Sequence, residues 1–153
     1  MATTIKAAEL PGLVGQEFPP SPWIEITQER VNLFADATND HQFIHVDPDK
    51  AARTPFGGTI AHGFLSLSLL SYLNAQSAMI PEGLVMAVNY GSDKVRYLAP
   101  VRVGKRIRSR QKLLEASEKR PGQWLAKTAV TVEIEGESTP ALVAEILSLY
   151  IVR

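Results

Sequence analysis

From Thr59 to Ile80 the chain reads TIAHGFLSLSLLSYLNAQSAMI, and its apolar positions keep to no single face. Phe64, Leu65, Leu67, Leu69, Leu70, Tyr72 and Leu73 fall on every side of a helical wheel, with Ala61, Ser66, Ser68 and Ser71 between them. A helix that is apolar all round is buried rather than amphipathic. The pattern therefore predicts a long central helix over residues 61–77, whose serines let a sheet approach closely. After Gly83 the period changes to two. LVMAVNY, KVRYLAPV, KRIRSRQKLLEAS, WLAKTAVTVEIEG and ALVAEILSLYIV each read as a strand. EKRPGQ and EGESTP carry the turn residues that would join the last three as hairpins.

Upstream of the helix the signals are shorter. PGLVGQEFPPSPW reads as an irregular lead-in, and WIEI as a brief strand. TQERVNLFADAT predicts a helix capped by Thr27, carrying Val31, Phe34 and Ala35 at helical spacing and stopping near Asn39. A second helical turn should start at Asp47, with Pro48 in its first position, and end at Pro55, Gly57 and Gly58. Small helices, one buried helix and a run of antiparallel strands make an α+β fold: a curved antiparallel sheet wrapped around a long central helix, one domain over residues 1–153. One sheet layer leaves a side of that helix poorly covered, and pairing with a second copy would cover it.

Composition narrows the chemistry. The chain has no cysteine, which excludes disulfides, zinc-thiolate sites and cysteine nucleophiles. Sixteen Lys and Arg balance sixteen Asp and Glu, which argues against a general nucleic-acid binder. Arg106, Arg108, Arg110 and Lys112 alternate onto one strand face, read as a solvated outer face, with a phosphate-contacting patch as the alternative. The first residues lack the apolar core of a signal peptide, and no apolar run is long enough to span a bilayer. A cytoplasmic protein without membrane insertion is the expectation.

The polar stretch TNDHQFIH, residues 38–45, interrupts these apolar runs. Asp40 and His45 are five positions apart, about 140° around a helix and on opposite faces of a strand. They can meet only where the backbone is irregular. The alternatives are a surface loop acid, a hydrogen-bonded half-buried histidine, and His41 as the active imidazole. His62 and Gly63 open the central helix, where unpaired N–H groups could hold an oxyanion. Gly63 would admit a ligand there or allow tight packing, and His62 is read as a first-turn residue without a catalytic role.

FADATNDHQFIHVDPDKA followed by GGTIAHGFLSLSLLS resembles the MaoC-like dehydratases, the (R)-specific enoyl-CoA hydratases of hot-dog fold. Within them it looks most similar to the NodN-like, single-domain bacterial members. The resemblance implies reversible syn addition of water to a trans-2-enoyl thioester. It makes Asp40 and His45 the catalytic pair and gives the Gly63 N–H to the thioester oxygen. It places Ser71 near the catalytic acid and lets the Gln42 amide orient water or substrate. Asn39, Gln42 and Phe43 stand where the family has Gly, Asn and Pro, although Asn tolerates a left-handed backbone. Lys94 and Arg96 are candidates for the coenzyme A pyrophosphate, with ordinary surface charge as the alternative. The implied partners are an acyl-CoA or acyl carrier protein thioester and a second copy in a homodimer. No metal or cofactor is required, because the coenzyme A thioester is itself the substrate. A hot-dog thioesterase is a rival, but it needs a carboxylate on the central helix, and residues 61–78 contain none. A non-catalytic acyl-thioester-binding subunit of a heteromer is the other.

Overall fold

The structure, a computed structural model, describes residues 3–153. Helix α1 (Gln28–Thr38) starts at the expected cap, where the Thr27 hydroxyl accepts the Arg30 N–H. It ends at Asn39, whose φ of 58° and ψ of 26° are left-handed. Helical turns α2 (Phe43–Val46) and α3 (Pro48–Ala51) follow, the latter capped by Asp47 with Pro48 in its first turn. From Val14 to Trp23 the lead-in is irregular, as expected, apart from an isolated bridge between Glu17 and Lys112; the elements ahead of it were not foreseen. Ala7–Leu13 winds into a 3-10 turn, and strand β1 (Thr3–Ile5) pairs in parallel with β3 (Met79–Pro81).

The central rod departs from the sequence reading in three ways. It begins at Gly63 rather than Ala61, and it forms two pieces, α4 (Gly63–Ser68) and α5 (Leu70–Ala75). Helical hydrogen bonds carry across the joint at Leu69, where Leu69 N donates to Leu65 O and Leu73 N to Leu69 O. At the joint, the Ser68 hydroxyl donates to Phe64 O at 2.6 Å, a back-bond of the kind that bends helices. Nor is the rod buried all round. Leu65, Ser66, Leu70 and Leu73 point inward, while Phe64 is 71% exposed and Tyr72 54%.

The main sheet runs β2-β5-β6-β7-β4 and is antiparallel throughout. Its strands are β2 (Ile24–Glu25), β4 (Leu84–Tyr97), β5 (Arg106–Arg120), β6 (Gln123–Ile134) and β7 (Leu142–Val152). LVMAVNY and KVRYLAPV, expected as two strands, are one. Gly91, Ser92 and Asp93 make no turn, and the chain absorbs the irregularity as register shifts against β7, with Lys94 at φ 51°. On β5 the alternation behaves as read. Ile107, Ser109, Gln111 and Leu113 are buried, while Arg106 pairs with Glu135 and both Arg108 and Arg110 pair with Glu133. Those cations lie on an outer face with acid partners one strand away. The core joins Leu65, Leu70 and Leu73 of the rod to Val31 of α1 and to Ile107, Val130, Val132 and Leu142 of the sheet. Among the described residues no helix is long and apolar enough to cross a membrane.

Candidate active site

The irregular backbone that Asp40 and His45 require begins at Asn39. Its left-handed turn carries the chain off α1 while Asp40 N donates back to Ala35 O at 3.1 Å. Asp40 Oδ1 then receives Gln42 N at 3.4 Å, and α2 swings His45 inward to 7% exposure. His41 is turned away and pairs with Asp36 on the surface. A β-branched residue cannot take up the left-handed backbone at 39 without strain. Asn39→Val should cost about 1–2 kcal/mol, whereas Asn39→Gly should be nearly neutral, as thermal melts of the two variants would report.

The imidazole of His45 is held in one tautomer. Its Nδ1 lies 2.7 Å from the Ile60 carbonyl, which can only accept, so Nδ1 carries the proton and Nε2 is left as a base. Residues 59–61 are fixed in turn against the far side of the fold. Ala61 N donates to Val101 O and Val103 N to Thr59 O. Gln28 ties the pieces together, donating to His45 O and accepting from the Thr59 hydroxyl. Burial, the largest influence, pulls the His45 pKa below 6.5, against the opposing effect of the Ile60 carbonyl; His62 lowers it further and Asp40 raises it.

His62 is not the first-turn residue the sequence reading expected. It precedes the first turn of α4 as its cap residue, and it is 3% exposed. Its ring stacks on that of His45, with centroids 3.8 Å apart and planes inclined by 23°. Its Nε2 donates to the backbone carbonyl of Asp40 at 2.9 Å and stands 3.8 Å from the Asp40 carboxylate. Its Nδ1 is buried with no partner among the described residues. The available signal was a lone imidazole directly before Gly63 in an otherwise apolar run. Ligand-type atoms of Asp40, His45 and His62 all lie within 4.8 Å of one another. Stacked rings, however, send their in-plane lone pairs along nearly parallel planes, so the two imidazoles do not converge on one ion. The cluster is shaped for handling protons.

Gly63 sits at the edge of this cluster as the first residue of α4, so its N–H has no acceptor within the helix. A Cβ there would come within 2.9 Å of the Tyr97 ring, so close packing is also served. His45, Gly63, Phe64, Tyr97 and Leu98 border a cavity of about 430 Å³. The remaining candidates lie elsewhere. Gln42 is exposed at the start of α2. Ser71 lies two turns down the rod from Gly63, on the lining of a second cavity. Lys94 pairs with Glu145 at 3.1 Å, Arg96 donates to the carbonyl of Val95, and neither borders the His45 cavity. A cation that sequence reasoning passed over is Arg102, which donates to Gly57 O beside Phe56 on that cavity's wall.

Comparison with known proteins shows the family and the fold. The family profile described as "MaoC like domain" matches residues 9–137. The chain is 48% identical over 151 residues to a protein of Mycobacterium tuberculosis H37Rv named 3-hydroxyacyl-thioester dehydratase Z, covering 99% of both chains. It is 48% identical over 146 residues to nodulation protein N of Rhizobium meliloti, covering 95% of this chain and 91% of that one. Among solved structures, the unliganded R-hydratase PhaJ1 of Pseudomonas aeruginosa superposes with a TM-score of 0.74 at 26% identity, covering 99% of this chain and 89% of that one.

Proposed function

The chain belongs to the MaoC-like dehydratase family, and from that premise we propose that it catalyses the reversible syn addition of water to a trans-2-enoyl thioester, giving the (R)-3-hydroxyacyl thioester. The observation that carries the reading is the cluster of Asp40, His45 and His62, with side-chain N and O atoms within 4.8 Å of one another, beside a cavity that His45 and Gly63 line. Water is a poor nucleophile, and His45 Nε2 is a fixed acceptor for its proton. As the water oxygen bonds to C3, electron density moves through C2 to the thioester oxygen, where the Gly63 N–H stabilises it. A proton then passes to C2 from the Asp40–His45 pair, leaving both groups as they began. Delivery of oxygen and proton from one cluster accounts for addition to one face. The (R) assignment is supported by the Pseudomonas neighbour, which is named an R-hydratase.

The test is direct. The purified protein should consume the enoyl absorbance of crotonyl-CoA without releasing free thiol, and chiral analysis should return the (R) alcohol. Thiol release would mean a thioesterase. Binding without turnover, alone or with any co-purifying chain, would mean a non-catalytic subunit.

A pH dependence follows from the His45 environment. The base must be neutral, and burial lowers its pKa from 6.5. The acid limb of kcat/KM should therefore fall below pH 6.5 rather than at it. The same shift has a stability sign. A histidine whose folded pKa is depressed contributes stability above its unfolded pKa, and that contribution is lost as the pH falls towards the folded value. Melts between pH 7 and 5 should show this loss, and His45→Gln should flatten it. We also place two copies of the chain in the active assembly, with an acyl-CoA or acyl carrier protein thioester as substrate and no cofactor in the reaction.

A further inference from the structure

The stripe of the rod that starts at Gly63 continues through Leu67, Leu70, Ser71 and Asn74, at offsets of four, seven, eight and eleven residues. These positions share one face of a helix. From Leu67 onward they border a second cavity, of about 660 Å³, between the rod and the sheet. A pocket built for a plain alkyl chain would be apolar along its length, yet the sheet side of this one is not. Gln111, Thr128, Ser148 and Tyr150 all line it opposite Asn74. Gln111 occupies a core position of β5 at 5% exposure, and its Nε2 is spent on Asn74 O and the Ser77 hydroxyl. Asn74 Oδ1 is buried with no partner among the described residues. A hydrocarbon seated here would leave Asn74 Oδ1 without a donor, whereas a hydroxyl would supply one.

We infer that the acyl group this protein takes carries a hydroxyl group in its distal part, which donates to Asn74 Oδ1 about 16 Å along the rod from Gly63. The inference rests on the thioester reading above and adds the class of acyl chain. The polar groups that carry it lie on α5, β5, β6 and β7, and β4 supplies another wall of the same cavity. Asn74 receives Gln111 through its backbone carbonyl, so changing its side chain leaves that bond in place.

The experiment is calorimetric binding of saturated acyl-CoA thioesters from octanoyl to hexadecanoyl, each with and without an ω-hydroxyl group, to the wild type and to Asn74→Leu. Enoyl-CoA hydration is measured alongside. At the length that reaches Asn74, the hydroxylated chain should bind roughly tenfold tighter than its alkyl counterpart, the scale of one unmet buried hydrogen bond. Asn74→Leu should reverse the order, with crotonyl-CoA turnover unchanged. Plain alkyl chains binding better at every length, or an ω-hydroxyl preference that survives Asn74→Leu, would overturn the inference. Because binding is read separately from turnover, failure to hydrate crotonyl-CoA would count against the catalytic reading alone.

Discussion

Asp40→Asn and His45→Ala are each expected to lower hydration of crotonyl-CoA by about 10²- to 10⁴-fold or more, the usual worth of a positioned acid or base. The two variants differ in what else they disturb. The Asp40 carboxylate is 52% exposed, accepts a hydrogen bond from Gln42 N and stands 3.8 Å from the His62 ring. The part of Asp40 that anchors His62 is its backbone carbonyl, which Asn keeps. Asp40→Asn should therefore fold and melt as the wild type does, and its loss should appear in kcat. His45→Ala removes the proton acceptor, the hydrogen bond to Ile60 and the partner of the His62 stack. It should lose activity together with some stability, so His45→Gln is the better control for folding. Near-normal turnover in a folded Asp40→Asn protein and a folded His45 variant would end the assignment.

The legible parts of this molecule were those whose cause is local. The Thr27 cap, the left-handed Asn39, Pro48 in a first helical turn and the alternation Ile107, Ser109, Gln111, Leu113 each follow from one residue's chemistry or from a short period. That Asp40 and His45 can meet only across an irregular backbone is legible in their spacing; that they do meet is not. What stayed hidden depends on partners distant in sequence. β4 reads as two strands because nothing local reveals that β7 will carry a bulged register across Gly91–Lys94. β1 needs β3, more than seventy residues away, to be a strand at all. The surroundings of His62, a ring stacked on it from α2 and a carbonyl brought over from the end of α1, were hidden for the same reason. Lys94 and Arg96 were placed by strand position alone, whereas Glu145 of β7 and the Val95 carbonyl decide where they point.

The protein should sediment as a dimer of its 16.8 kDa chain, and Val88→Asp combined with Tyr90→Asp should make it a monomer. β4 is fourteen residues long and ends the sheet, with only β7 beside it among the described residues. A long free edge is a ready template for pairing, and this one is apolar. Val85, Met86, Val88 and Tyr90 are exposed on it, and the uncovered side of the rod adds Phe64 and Tyr72. Charges do blunt the strand's far end, at Asp93, Lys94 and Arg96, but the stretch from Leu84 to Gly91 carries none. A second copy related by a two-fold axis would set this stretch against its own image, pair the open backbone groups and bury the aromatic side chains of both rods. Two aspartates in each copy would face two in the other, and like charges juxtaposed at an interface cost several kcal/mol. Both substituted side chains are exposed in the single chain, so its own core should survive and the monomer should still melt cooperatively. A wild-type protein that sediments as a monomer at micromolar concentration would remove the dimer. So would a double variant whose mass equals that of a dimeric wild type.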